Sequence, residues 1–371
     1  MGDPVRMAMV GGGPGAFIGP VHRMAAELDG KVVLVAGAFS RDIERSRSAG
    51  ASWGVAADRI HADVHRLIAS EAKRSDGAEF IAIVAPNATH FGIAKAALDA
   101  GLHVMCDKPA TALLSEAVEL AKIVHRSGRL YALSFTYSGY PVVRRARQLV
   151  ADGVLGRIRK IVVEYSQGWL TTAIESEGNK QAAWRTDPEL AGPGGCIGDI
   201  GIHAFHLCEY VSGERVSGLC ADVSSLVRGR RLDDDCNVLL RFGNGATGVL
   251  HASQIAAGDR NDLILRVWGE RGGLEWRHGR AEELTVSLSG QPVQIWHAGE
   301  PYAATGNPRL PAGHPQGFIE AFANLYGDFA DAIRAGGGLP DHLPGIAQGV
   351  RTMAFVERAI ASSKMRIWVK L

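Results

Sequence analysis

A chain of 371 residues is long for one ordinary hydrophobic core, so two domains are expected. With 46% hydrophobic and 21% charged residues, the composition is that of a soluble globular protein. A formal charge of +1 gives no reason to expect a nucleic acid or an anionic membrane as partner, and no apolar run approaches the ~20 residues that span a bilayer. The start, Met1 to Arg6, leads into strand-like sequence without a signal core. Five cysteines, an odd number with no Cys-x-x-Cys, fit neither a disulfide framework nor a thiolate zinc site, and a cytoplasmic location is expected.

Met7 to Val10 reads as a strand that runs into Gly11-Gly-Gly-Pro-Gly-Ala16. Val21, Met24, Ala25 and Leu28 then recur at helical spacing, with Pro20 suited to the first turn. Strand, glycine loop and helix together form a dinucleotide-binding pattern of the type G-x-G-x-x-A. Gly11, Gly13, Pro14, Gly15, Ala16, Phe17 and Ile18 are its candidate residues. The next strand, Val32 to Ala36, leads to Ser40, Arg41 and Asp42. Ser40 could bond a ribose hydroxyl and Arg41 could stack on adenine or pair with a 2′-phosphate, while Asp42 could equally cap the next helix. NAD and NADP both stay open, with NAD favoured for an oxidising role.

Strands at Phe80 to Val84 and His103 to Cys106 flank a helical run from Ile93 to Leu98. This alternation predicts a doubly wound parallel sheet whose ligand crevice lies beyond the C-terminal strand ends. Two stretches fall at such ends. One holds Pro86, Asn87 and His90, and the other is Asp107-Lys108-Pro109. Leu130 to Phe135 reads as the last strand of this domain, and Pro141 opens a helix whose arginines 144, 145 and 147 read as a solvated face. Beyond it, Ile158 to Tyr165, Val238 to Phe242, Ala246 to Leu250 and further short runs up to Trp296 follow without intervening helices, which indicates a mostly antiparallel sheet. Gly317 to Ile333 and Leu343 to Ser362 read as closing helices.

Between the strands lies Gly192 to His206, a glycine-rich turn entering a helix. Asp199 and His203 are four residues apart and share a face of an α-helix. A capping aspartate and a packed histidine would give the same spacing. His203, His206 and Glu209 could also be read as metal ligands, but Glu209 falls well around the helix from His203, and no metal is expected. Trp169, Trp184 and Arg185 stand in loops ahead of this helix; with Tyr137 and His314 they are the candidate contacts for a substrate with both apolar faces and hydroxyls.

Gly11-Gly-Gly, Pro86-Asn-Ala-Thr-His90, Asp107-Lys-Pro109 and Gly198-Asp-Ile-Gly-Ile-His203 stand in an order and spacing that resembles the glucose–fructose oxidoreductase / inositol dehydrogenase / rhizopine catabolism (Gfo/Idh/MocA) family across essentially the whole chain. Members usually carry Glu where this chain has Asp107, a supporting position. The resemblance implies a Rossmann domain over residues 1–135 and an α+β substrate-binding and oligomerisation domain over residues 136–371. The second would hold a large open, mostly antiparallel sheet, with helices on one face and subunit contacts, as homodimer or homotetramer, on the other. It implies metal-free hydride transfer between NAD(P) and a ring alcohol of a sugar or cyclitol. Lys108 would stabilise the alkoxide, His203 take the proton and Asp199 orient the substrate. Two rival readings are a non-catalytic NAD(P)-binding sensor and a hydrolase or lyase that uses the cofactor transiently.

Overall fold

The computed structural model describes residues 2–303 and 308–371. The first helices and strands are β1 (Val5–Gly11), α1 (Ile18–Glu27), β2 (Val32–Ala38), α2 (Ile43–Ser52), α3 (Val64–Glu71), β3 (Phe80–Val84), α4 (His90–Asp99), β4 (His103–Cys106), α5 (Leu114–Ser127) and β5 (Tyr131–Leu133). Then come α6 (Pro141–Ala151), β6 (Ile158–Ser166), α7 (Lys180–Arg185), α8 (Pro188–Ala191), α9 (Ile202–Ser212), β7 (Val216–Ser224), β8 (Asp235–Phe242) and β9 (Thr247–Ser253). The chain closes with β10 (Asp262–Gly269), β11 (Gly272–Arg277), β12 (Glu283–Leu288), β13 (Gln294–His297), α10 (Phe318–Ala335), α11 (Ile346–Met365) and β14 (Val369–Lys370). It divides into two compact units, residues 1–136 with 318–351 and residues 137–317 with 352–371.

The first unit is built on a parallel sheet of order β2-β1-β3-β4-β5. β1 and β3 are neighbours although β2 lies between them in sequence, so the order reverses at β1, where doubly wound sheets form their ligand crevice. β3 is buried at every position, as a central parallel strand covered on both faces should be. One assignment is corrected here. Residues 318–351, placed by sequence in the second domain, fold with the first unit. The physical reason is the α10 stripe Phe322, Tyr326 and Phe329, fully buried with Met7, Met9 and Phe80 in one core. Phe329 meets the Phe80 ring edge-to-face at 5.3 Å. Periodicity predicts the helix, but not which sheet its apolar face will cover.

The second unit carries a nine-stranded sheet of order β13-β12-β11-β10-β6-β9-β8-β7-β14. All of its pairings are antiparallel except β6 with β9. β8 alternates buried and exposed side chains along its length, the signature of a sheet with one packed face. Its hairpin to β9 turns at Asn244-Gly245, with Gly245 at φ 89°. β7 lacks a sequence signal: Ser217, Gly218, Cys220 and Ser224 leave it without a strong apolar alternation. The arginines of α6 also depart from expectation. Arg144 donates to the Ser138 carbonyl at 3.1 Å, and Arg145 and Arg147 lie over the rings of Trp296 and Tyr210. They are half-buried packing groups rather than a solvated face. Among the described residues no helix is long and apolar enough to cross a membrane.

If α10 belongs to the first core, Phe329→Ala should cost about 3–5 kcal/mol there. Hydrogen exchange should then show lost protection in β1 and β3 but not in β8 and β9; uniform loss would contradict the assignment.

Candidate active site

The glycine loop lies at the β1–β3 switch point, and its glycines have steric causes. A Cβ on Gly11 would stand 2.4 Å from the Val84 carbonyl oxygen, and one on Gly13 only 2.3 Å from that of Phe39 at the end of β2. Gly12 and Gly19 touch backbone to backbone, so the helix-packing small residue is Gly19, three positions beyond Ala16. The sequence pattern missed it. Phe17 is the N-cap of α1, which has neither a side-chain cap nor an acidic residue in its first turn. An exposed loop feeding an uncapped helix start fits the pyrophosphate of a dinucleotide. Asp42 accepts from Glu44 N at 2.9 Å and Arg45 N at 3.2 Å, so it is a helix cap. Ser40 and Arg41 remain at the β2 tip; Ser40 Oγ accepts from Asp42 N at 3.2 Å.

Pro86 is exposed and Asn87 buried in the short turn after β3. His90 differs from expectation. It is 1% exposed, with Nδ1 2.8 Å from the Pro109 carbonyl and Nε2 2.7 Å from that of Ala85. Both ring nitrogens therefore face backbone oxygens, and His90 ties the Lys108–Pro109 loop to the end of β3 instead of presenting itself to a cofactor. Burial lowers its pKa. Lys108 and Pro109 are joined by a cis peptide bond. Asp107 accepts from Ser134 Oγ at 2.7 Å and lies 3.6 Å from His22 Nε2.

In the second unit the stretch from Gly192 is pinned by a residue the sequence reading passed over. Asp233 accepts from Gly195 N at 2.6 Å and Ile197 N at 2.7 Å, and its carbonyl accepts from Cys196 N at 2.8 Å. These are N–H groups that a helix start leaves without intrahelical partners. The chain then makes a π turn over Ile197–Gly201 before α9 begins, so Asp199 does not sit on a regular α-helix with His203. π segments are rare and concentrate at functional sites.

Asp199 Oδ2 accepts from Gln254 Nε2 at 2.9 Å, and Arg185 Nε lies 3.5 Å from the same oxygen. Gln254 is 2% exposed, and its backbone bonds Asp234 and Leu170. Arg185 stacks on Trp184 at 4.2 Å and donates to Gln181 Oε1 at 2.6 Å. Trp184 and Arg185 thus lie on the short helix α7 and not in a loop, and Arg185 holds Asp199 from the end of that helix. His203 is half-buried, with the Tyr137 ring edge-on at 5.1 Å and the Tyr165 ring at 6.3 Å. The two phenols hydrogen-bond each other. Tyr165 also donates to Asn261 Oδ1 at 2.7 Å, which accepts from Gln167 Nε2 at 2.6 Å; Gln167 Oε1 in turn accepts from Trp169 Nε1 at 2.9 Å.

A hydrogen-bonded chain thus runs from Trp169 to the tyrosines beside His203. Burial pushes Tyr137 up to about 12 and Tyr165 well above its ordinary value. Both phenols stay protonated, leaving the imidazole as the group suited to accept a proton. His314 is exposed, with Nδ1 3.1 Å from the Pro311 carbonyl. Among the described residues no three His, Cys, Asp or Glu side chains converge as metal ligands.

His206 is buried, stacked on Tyr210, and lowered to about 3 by burial and by Arg147 and Arg215. An unfolded chain takes up this proton near 6.5 and the folded one does not, so stability is full above that pH and is lost as pH falls toward 3. Urea midpoints of His206→Phe between those limits should fall less steeply than wild type; parallel slopes would contradict this.

The description "Oxidoreductase family, NAD-binding Rossmann fold" matches residues 5–135, and "GFO/IDH/MocA C-terminal domain" matches residues 143–275. The uncharacterized oxidoreductase YfiI of Bacillus subtilis (strain 168) is 34% identical, with 99% of this chain and 97% of that protein covered. Levoglucosan dehydrogenase of Pseudarthrobacter phenanthrenivorans is 28% identical, covering 77% of this chain and 78% of its own. A crystal structure of an inositol dehydrogenase homolog from Azotobacter vinelandii, complexed with NAD+, has a TM-score of 0.95 at 37% identity, covering 100% of this chain and 98% of that one. With both descriptions matched in turn along the chain, it belongs to the Gfo/Idh/MocA family of oxidoreductases, and its first unit is that family's NAD-binding Rossmann domain.

Proposed function

We propose that the protein is a nicotinamide-dependent dehydrogenase that oxidises a ring secondary alcohol of an inositol, a sugar or a sugar derivative to the ketone, without a metal. The observation that carries this is the second unit's Asp199, held by Gln254 and Arg185, in one short helical stretch with His203, whose neighbouring phenols are locked in the protonated form. Bound NAD would supply the hydride acceptor. The residues do the rest. His203 accepts the hydroxyl proton, Asp199 orients the hydroxyls, and Lys108 stabilises the developing alkoxide by its charge. Trp169 and Trp184, both half-buried, offer the apolar surface that a sugar or cyclitol ring requires.

Myo-inositol is the first substrate to test, because a 36% identical inositol dehydrogenase homolog from Azotobacter vinelandii was solved with NADH and myo-inositol. Levoglucosan is the second, since the 28% identical relative is a levoglucosan dehydrogenase. NAD is the working cofactor, and Arg41 at the β2 tip is the residue by which NADP would compete. The uncovered face of the nine-stranded sheet, with Leu239 51% and Trp268 41% exposed, is the proposed surface for assembly into dimers or tetramers.

The test is NADH absorbance with NAD or NADP against inositols, hexoses, anhydrosugars, glucosides and aminoglycosides. Lys108→Met should lower kcat by about 10²–10⁴-fold while leaving NAD affinity within about twofold. Near-normal turnover of that variant would overturn the assignment.

A further inference from the structure

His22 lies on α1, the helix that the glycine loop opens into, and it is 0% exposed. Nothing about NAD binding requires a buried imidazole there. Its Nδ1 is 2.7 Å from the hydroxyl of Tyr326 on α10, and its Nε2 is 3.6 Å from Oδ1 of Asp107, the residue before Lys108. The same carboxylate oxygen accepts from Ser134 Oγ, just beyond β5, at 2.7 Å. Asp107 itself donates its backbone N–H to the Ile83 carbonyl at 2.8 Å. Two segments of the first unit, α1 and the end of β5, thus meet at one carboxylate on the lysine's own loop, with α10 behind His22 and β3 holding the Asp107 backbone.

The protons can be placed. Burial, with Asp107 and Cys106 nearby, keeps the Tyr326 phenol far above its ordinary pKa, so its hydroxyl remains a donor. Burial pushes the Asp107 carboxyl up, but the neighbouring His22, the Lys108 charge and the Ser134 hydroxyl outweigh it and hold the group well below the usual carboxylate range. Asp107 is therefore an anion. A neutral imidazole has one N–H. The anionic carboxylate 3.6 Å from Nε2 favours the tautomer with its proton on Nε2, since the other would set a lone pair against a negative charge; Nδ1 then accepts from the Tyr326 hydroxyl.

We propose that His22 is a positioning residue for Lys108. It receives a hydrogen bond from Tyr326, directs its own N–H at Asp107, and so fixes the loop that presents the lysine. It also joins that loop to the helix carrying the cofactor loop. The role rests on the reading of Lys108 as the alkoxide-stabilising group. A displacement of about 1 Å in a catalytic group can cost about 100-fold in rate.

The experiment compares His22→Phe, which keeps a ring among Phe322 and Tyr326 but has no N–H, with His22→Gln, whose amide can still donate to Asp107. Lys108→Met runs in parallel. With myo-inositol and NAD, His22→Phe should lose about 10–100-fold in kcat with KM and NAD affinity little changed, and His22→Gln should recover most of it. A second readout needs no substrate. Limiting acetic anhydride, with Lys95 as internal standard, should label Lys108 several-fold faster in His22→Phe and at the wild-type rate in His22→Gln. Wild-type kcat or wild-type labelling in His22→Phe overturns the proposal, as does equal impairment of both variants with an equal drop in Tm, which would mark a merely structural role. Full activity of Lys108→Met would defeat the proposed function, while the labelling result would still judge whether His22 positions the lysine.

Discussion

The candidate site of the second unit depends on the carboxylate of Asp233. Its two oxygens and its carbonyl take three successive backbone N–H groups of the Gly195–Ile197 turn. The arrangement admits no side chain at Gly195, where a Cβ would stand 2.2 Å from the Asp233 carbonyl oxygen. Burial pushes the Asp233 carboxyl up to about 6 against the pull of those N–H groups. Desolvation thus outweighs the hydrogen bonds in setting the carboxyl's proton affinity, and the bonds offset only part of the cost of burying the group. From this anchor the chain enters the π turn holding Asp199 and then the helix holding His203.

The same few residues position the rest of the site. Asp234 accepts from Leu226 N and Val227 N and pairs with Arg230, whose guanidinium also binds Glu175 and the carbonyls of Leu170 and Thr172. This locks the loop that follows Trp169. The backbone N–H of Gln254 donates to the Asp234 carbonyl while its side chain reaches Asp199. Orientation of Asp199 and shape of the loop after Trp169 therefore share one buried polar framework. Such a framework is costly when half-satisfied and rigid when complete.

What could be read from the chain was local. β3 and β4 have the bounds their apolar runs predict, the Asn244-Gly245 turn joins β8 to β9, and Pro141 opens α6. What escaped was decided at a distance. Asp233 lies 38 positions from Gly195, Gln254 lies 55 from Asp199, and Asn261 lies 94 from Gln167. No periodicity links such pairs. His90 opens α4 and Arg185 ends α7, a short helix where a loop was expected, and which partner each side chain takes depends on neighbouring carbonyls and carboxylates brought in by the fold. The π turn was invisible for a related reason. A helical pattern does not say where the chain will carry one residue more per turn, and i, i+4 spacing shares a face only where it does not.

The central claim is hydride transfer from a ring carbon. Incubating the protein with NAD and myo-inositol deuterated at every ring carbon, then reading the reduced cofactor by mass spectrometry and NMR, tests it most directly. The account predicts one deuterium per NADH formed, located at C4 of the nicotinamide. NADH formed without the label, or NAD bound but never reduced by any inositol or sugar offered, would contradict it.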